Sequence, residues 1–75
     1  MSEITLKSDV TGRVWQILKA VGDTVAEDET IMVIEAMKME IPIVSEVAGR
    51  ITAILVAEGD EVSEDQPVTV LEDRP

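Results

Sequence analysis

The sequence predicts an all-β domain, a small sandwich or barrel of eight short strands. Three observations carry that reading. The chain repeats itself: residues 3–35 lie over residues 40–72 at a constant offset of 37, with no gap. Glu3 falls on Glu40, Ser8 on Ser45, Gly12-Arg13 on Gly49-Arg50, Gly22-Asp23 on Gly59-Asp60, and Glu35 on Glu72. Valine, isoleucine and threonine recur in short runs between turn residues, the composition of strands. No stretch has a helical period, and eight short strands at regular spacing suit a sandwich or barrel.

Each element has a local reason. Residues 3–7 read as a strand with Ile4 and Leu6 on one face. Residues 12–20 form a longer strand whose broken alternation calls for a bulge. Gly22-Asp23 is a turn, 24–26 a very short strand, and Glu27-Asp28-Glu29 a solvated turn. Residues 30–35 form a strand buried on at least one face, with Met32 in the core. The second unit repeats the series: 40–45, 48–57, a turn at Gly59-Asp60, a short strand near Val62, a turn at Glu64-Asp65-Gln66, and 67–72. The glycine pairs Gly12/Gly49 and Gly22/Gly59, with Asp23 and Asp60, read as structural turns, each glycine supplying a positive φ or a close backbone approach. Pro42 cannot donate to a ladder, so its strand belongs at a sheet edge. Trp15, the one aromatic residue, falls on Thr52 and is expected partly exposed. Arg13 and Arg50 are placed on the solvated face, and the tail Asp73-Arg74-Pro75 is expected to fray.

The one interior stretch outside the repeat is Ala36-Met37-Lys38-Met39. Two similar units packed together tend to be related by a two-fold axis. The linker is then expected near that axis at one end of the molecule, as the four-residue connection of a β-hairpin, with Lys38 on the tip. Methionine is an unusual turn residue, and two exposed methionines form a soft surface suited to a partner.

Composition narrows the chemistry. Seventy-five residues make one small domain, 1–75. Without cysteine there is no disulfide and no thiolate metal site; without histidine the commonest general base and metal ligand is missing. Six basic against sixteen acidic residues give a net charge of −10. Such a surface repels nucleic acid and anionic membranes and suits basic partners. No stretch is long and apolar enough for a membrane helix. The start Met1-Ser2-Glu3 has no signal pattern, so the expected location is the cytoplasm and the expected form a free-standing subunit.

The run Glu35-Ala36-Met37-Lys38-Met39-Glu40, followed by Ile41-Pro42-Ile43-Val44 and set in a glycine-punctuated, twice-repeated β domain, resembles the biotinyl/lipoyl attachment family. Within it the chain is most similar to single-domain biotin carboxyl carrier proteins, and the resemblance spans residues 3–72. It implies a flattened barrel of two four-stranded sheets, covalent biotin on Lys38, and no catalysis by the domain itself. The implied partners are a biotin ligase, a biotin carboxylase and a carboxyltransferase, with the domain monomeric by itself. Glu35, Ala36, Met37, Met39 and Glu40 would form the motif that the ligase reads. The lysine amine would attack activated biotin; such an amine is mostly protonated at neutral pH, and only Glu35 and Glu40 stand near it in sequence. The halves align without a gap, which leaves no room for the "thumb" loop of some acetyl-CoA carboxylase carriers. Two other readings stand beside this one. A lipoyl carrier of a 2-oxo acid dehydrogenase or glycine cleavage system shares the fold, but typically has Asp-Lys-Ala where this chain has Met-Lys-Met. An unmodified β-barrel interaction module is the other.

Overall fold

A computed structural model describes residues 2–73. Eight strands follow in order: β1 Glu3–Lys7, β2 Gly12–Ile17, β3 Thr24–Val25, β4 Thr30–Ala36, β5 Met39–Val44, β6 Gly49–Ile54, β7 Glu61–Val62 and β8 Pro67–Asp73. They form two antiparallel four-stranded sheets, ordered β1-β8-β6-β3 and β5-β4-β2-β7. The molecule measures 37 × 17 × 17 Å. Alternation turns one face of each strand inward. Val14, Ile31, Met32, Ile34 and Ile43 of one sheet meet Leu6, Ile51, Val68 and Leu71 of the other, with Val25 and Val62 completing the core. Met32 is fully buried, as expected. Among the described residues no helix is long and apolar enough to cross a membrane.

The repeat is obeyed down to single hydrogen bonds. Gly22 N–H donates to the Ile51 carbonyl at 2.8 Å, and its image Gly59 N–H to the Val14 carbonyl at 2.8 Å. Ser8 and Ser45 are both fully buried, each donating its hydroxyl to the carbonyl two residues on, of Val10 and Val47. The expected bulge in β2 is present: the register slips between Val14 and Gln16, leaving Trp15 as the extra residue, and β6 slips identically at Thr52. Pro42 lies on edge strand β5, as its missing donor requires.

Several expectations need correcting. The long strands stop at Ile17 and Ile54, short of residues 20 and 57. The reason is the following turn. The Ala20 carbonyl accepts from Asp23 N–H and the Ala20 N–H donates to Asp23 Oδ2 at 2.9 Å, so neither is free for a ladder; Ala57 and Asp60 repeat this. Gly22 and Gly59 do take positive φ, 96° and 93°. For Gly12 and Gly49 the expected close approach holds and the turn does not. They open strands, and a Cβ on Gly49 would sit 2.5 Å from the Glu72 carbonyl oxygen. Their need is close approach. Asp73 is no frayed residue: it ends β8 and donates its N–H to the Ser2 carbonyl at 2.8 Å. Arg74 and Pro75 lie outside the described residues.

The linker does not lie near the two-fold axis. Glu35 pairs with Glu40 in one sheet, and their images Glu72 and Glu3 pair in the other. The linker is therefore carried onto the meeting of the chain ends, whereas a linker on the axis would be carried onto itself. The axis runs between edge strands β1 and β5, where a groove is lined by matched residues: Thr5 with Pro42, Leu6 with Ile43, Lys7 with Val44.

Candidate functional site

The β4–β5 hairpin is closed by a tighter connection than four residues. Ala36 and Met39 still pair as the last rung, so the turn is Met37-Lys38 alone. Both take positive φ, 52° and 66°. Two left-handed central residues make a type I′ turn, which matches the twist of the strands but ordinarily selects Asn-Gly. Left-handed backbone costs an ordinary L-residue about 1–2 kcal/mol, so this turn is held by its strands against local preference. Ladder pairing from Ala36↔Met39 back to Thr30↔Val44 supplies the hold.

The seat of the tip is Gly12. A Cβ there would lie 3.0 Å from Ile34 Cγ2 and 3.1 Å from Ala36 Cβ, and closer still to the Glu35 carbonyl oxygen. Ala36 is 7% exposed, the one motif residue that turns inward. Glycine at 12 and alanine at 36 thus let the end of β4 settle onto β2. Above this seat Met37 is 92% and Met39 63% exposed, and Lys38 is exposed between them. The structure brings Lys38 and both methionines together on one projecting turn. It sets Glu35 and Glu40 side by side one rung below.

That rung is charged across the sheet: Glu40 pairs with Glu35, Glu35 with Arg13, and Arg13 with Glu61. Arg13 Nη2 stands 3.8 Å from Glu35 Oε1, and the repeat image Arg50–Glu72 measures 3.7 Å. Both pairs are exposed and so contribute little stability. Their effect here is to take up Glu35 with Arg13. Lys38 forms no ion pair among the described residues, so its amine is free for chemistry supplied from outside. Asp23, Asp60, Gly22 and Gly59 lie in turns of the body and belong to the scaffold. Gly12 and Arg13, by contrast, act at the tip. Gly12 was legible only as a generic glycine; Arg13 had a signal in the shared offset of Arg13/Arg50 and Glu35/Glu72. Among the described residues no three His, Cys, Asp or Glu side chains converge as for a metal ion.

Comparison with known proteins fits this geometry. The model of the biotin/lipoyl family, described as biotin-requiring enzyme, matches residues 4–71. A biotin carboxyl carrier protein of Streptococcus mutans serotype c is 44% identical over 36 residues, 48% of this chain and 28% of that protein. The urea carboxylase of Kluyveromyces lactis superposes with a TM-score of 0.91 at 35% identity, covering 96% of this chain and 6% of that one. A single-chain, multi-domain long-chain acyl-CoA carboxylase gives 0.90 at 26%, covering 96% and 7%. The chain thus spans under a third of that carrier protein and under a tenth of either carboxylase. With its two matched sheets, its exposed lysine turn and a family model spanning nearly its whole length, the chain belongs to the biotin/lipoyl domain family of biotin-requiring enzymes.

Proposed function

We propose that this chain is a biotin carrier, with Lys38 as the point of attachment and the domain itself non-catalytic. The observation that carries the reading is the free amine of Lys38 on a two-residue turn of a family-matched fold, flanked by two exposed methionines. A primary amine in no ion pair among the described residues fits amide formation with a carboxylic acid. The Lys38 Nζ, once deprotonated, attacks the acyl carbon of the acid activated as its mixed anhydride with AMP; the C–N bond forms as the acyl C–O bond breaks, AMP leaves with the bonding pair, and the proton passes to a base of the ligase. Glu35 is engaged by Arg13, and neither it nor Glu40 forms an ion pair with the amine, so the ligase must supply that base. The bound group supplies a ureido nitrogen able to take up and release a carboxyl group.

The rest of the chain orients that chemistry. The ladder and the Gly12 seat fix where the turn points, and the tether turns successive encounters with a biotin carboxylase and a carboxyltransferase into local ones. The names of the matched carrier protein and carboxylases support this assignment of partners. The reading makes the chain a cytoplasmic carrier, since ligation and carboxylation both draw on ATP, and takes it as a monomer by itself. The Met-Lys-Met tip, in place of Asp-Lys-Ala, favours biotin over lipoate.

The test is intact mass after incubation with purified biotin protein ligase, biotin and ATP. The expected result is one added biotin on the wild type and none on Lys38→Arg, whose guanidinium stays protonated, with identical β circular dichroism. Labelling that persists at Lys7 or Lys19 sinks the assignment, as does lipoylation in preference to biotinylation.

A further inference from the structure

Because the halves are images of each other, every surface residue has an internal control. Leu18 and Leu55 are both half exposed and are images of one another; Met37 and Met39 belong to the tip. That leaves Val21 and Trp15, whose images are the polar residues Glu58 and Thr52. Val21 stands in the Ala20–Asp23 turn, away from the lysine-bearing sheet. Trp15 is different. It lies on the outer face of that sheet, 50% exposed, as the unpaired residue of a bulge next to Gln16; Gln16 pairs with Val33, and Val33 in turn with Pro42. The row Gln16–Val33–Pro42, with Trp15 bulged beside it, reads Ala53–Val70–Thr5 with Thr52 beside it on the twin sheet, where the Thr52 hydroxyl donates to the Val70 carbonyl at 3.3 Å. The fold therefore makes this row without an indole.

A second difference marks the same spot. Glu58 Oε2 accepts the Ile17 N–H at 2.9 Å, two residues beyond Trp15. The image of Glu58 is Val21, which has no side-chain acceptor. The bulge carrying Trp15 is thus pinned where its twin is not, and a bulge re-aims the side chain it carries. A rigid aromatic anchor loses little freedom on binding.

We propose that the outer face of the lysine-bearing sheet, anchored by Trp15, is the part of the ligase footprint that lies beyond the tip. This rests on the reading of Lys38 as the ligase's acceptor. The complementary surface is an apolar cleft for the indole, ringed by basic side chains facing Glu35, Glu40 and Glu58. Reach selects the ligase. The reacting amine must come within about 3–3.5 Å of the acyl carbon, so the ligase body lies against the turn. A specific interface takes roughly 800 Å² from each partner, and the carrier exposes 4594 Å² in all. Three residues of a turn cannot provide that share, so the contact runs on down the sheet. Val33 is two residues past Glu35, about 7 Å along the strand, which puts the Trp15 row next in line. A second copy of this chain is disfavoured as the occupant, because two chains of net charge −10 would meet acidic face to acidic face.

The experiment measures initial rates of biotin transfer by purified biotin protein ligase against carrier concentration, with a thermal melt of each preparation. Trp15→Thr installs the residue that the twin sheet already carries. It should raise KM roughly tenfold with kcat little changed and the melt within a few degrees. Trp15→Phe should recover most of the loss. Pro42→Thr, again the twin's residue, probes the same row without touching the indole and should raise KM about threefold, since it borders the anchor. Thr52→Ala on the twin should leave KM unmoved, and added salt should raise the wild-type KM through the acidic rim. Unchanged KM in Trp15→Thr and Pro42→Thr overturns the proposal. So does a lower kcat tracking a collapsed melt, or normal ligation with impaired carboxylation, which gives the face to a carboxylase. A wild type that takes no biotin overturns the Lys38 reading, and this proposal with it; a labelled wild type with unmoved variants overturns this proposal alone.

Discussion

The lysine hairpin and its image, the meeting of the chain ends, are built from the same rung. Glu35 faces Glu40 in one, Glu72 faces Glu3 in the other, and an arginine stands beside each pair at 3.8 and 3.7 Å. In the first the chain continues through Met37-Lys38; in the second the next contact is the Asp73 N–H donating to the Ser2 carbonyl. The charged rung therefore forms in both places, with the Met37-Lys38 turn beside only the first. Two left-handed L-residues at Met37 and Lys38 add local strain and no repeated contact. What the halves share is scaffold, and what they do not share is left for function.

The glycines offer the largest effects by which to probe that division. Gly12→Ala and Gly49→Ala each force a Cβ against a backbone carbonyl. Each should cost about 2–3 kcal/mol and lower the melting temperature by roughly 10–20 °C. The two should differ in function. Gly12 seats the tip, so Gly12→Ala should also slow biotin transfer at temperatures where both variants are folded, whereas Gly49→Ala should not. Equal rates would mean the seat does not set the turn. Gly22→Ala and Gly59→Ala meet nothing within 4 Å and lose only the freedom of positive φ. Each should cost about 1 kcal/mol, or 4–8 °C, equally in both halves and without effect on transfer. Unequal losses would break the equivalence of the turns.

The smallest effect lies where the scaffold itself departs from symmetry. Glu29 pairs with Lys19, while the images are Gln66 and Val56. Lys19 is raised above its ordinary value, chiefly by its hydrogen bond to Glu29, and Glu29 is lowered, by Lys19 and then by the Ala26 N–H. The lowered carboxylate contributes stability above the ordinary carboxylate range, lost as pH falls through its folded value. The raised amine contributes below the ordinary lysine range, lost as pH rises through its own. The pair is partly exposed and solvent screens it, so the contribution is small. Glu29→Gln copies Gln66, whose side chain accepts the Ser63 N–H at 2.9 Å as Glu29 accepts that of Ala26 at 2.8 Å. Its melts should lie slightly below wild type near neutrality and converge with it in acid and at high salt. A constant gap at every pH would show that the turn, not the ion pair, is at stake.

Much of this plan was legible in the sequence because the repeat wrote it twice. Eight strands, the β2 bulge, the edge position of Pro42, the buried Met32 and the exposed Met37 and Met39 all follow from alternation, turn chemistry and the 37-residue offset. What stayed hidden depends on tertiary approach or on backbone angles that residue type does not announce. Gly12 and Gly22 are the same residue, and only packing tells a close approach from a positive φ. Met37-Lys38 lacks the Asn-Gly signature of a type I′ turn, so four unrepeated residues read as a four-residue connection. Asp28 and Asp65 take φ of 70° and 69° in turns closed by the side chains of Glu29 and Gln66, which looked in sequence like solvated charge. The off-axis linker was deducible from the offset alone, since pairing Glu35 with Glu40 requires pairing Glu72 with Glu3.

The division between scaffold and function is tested most directly at the methionines. Met37→Asp with Met39→Ala removes both methionine side chains of the tip, keeps Lys38, and leaves every repeated residue in place. Aspartate tolerates left-handed backbone better than methionine does, so the melt should match or slightly exceed that of the wild type. Biotin transfer, followed on the same preparations, should fall by roughly tenfold or more, because the ligase loses two apolar contacts and meets a new charge beside Lys38. A melting temperature well below wild type would place the methionines in the scaffold. An unchanged transfer rate on an intact fold would mean that the turn is read through its lysine and backbone alone, contradicting the assignment of the unrepeated residues to function.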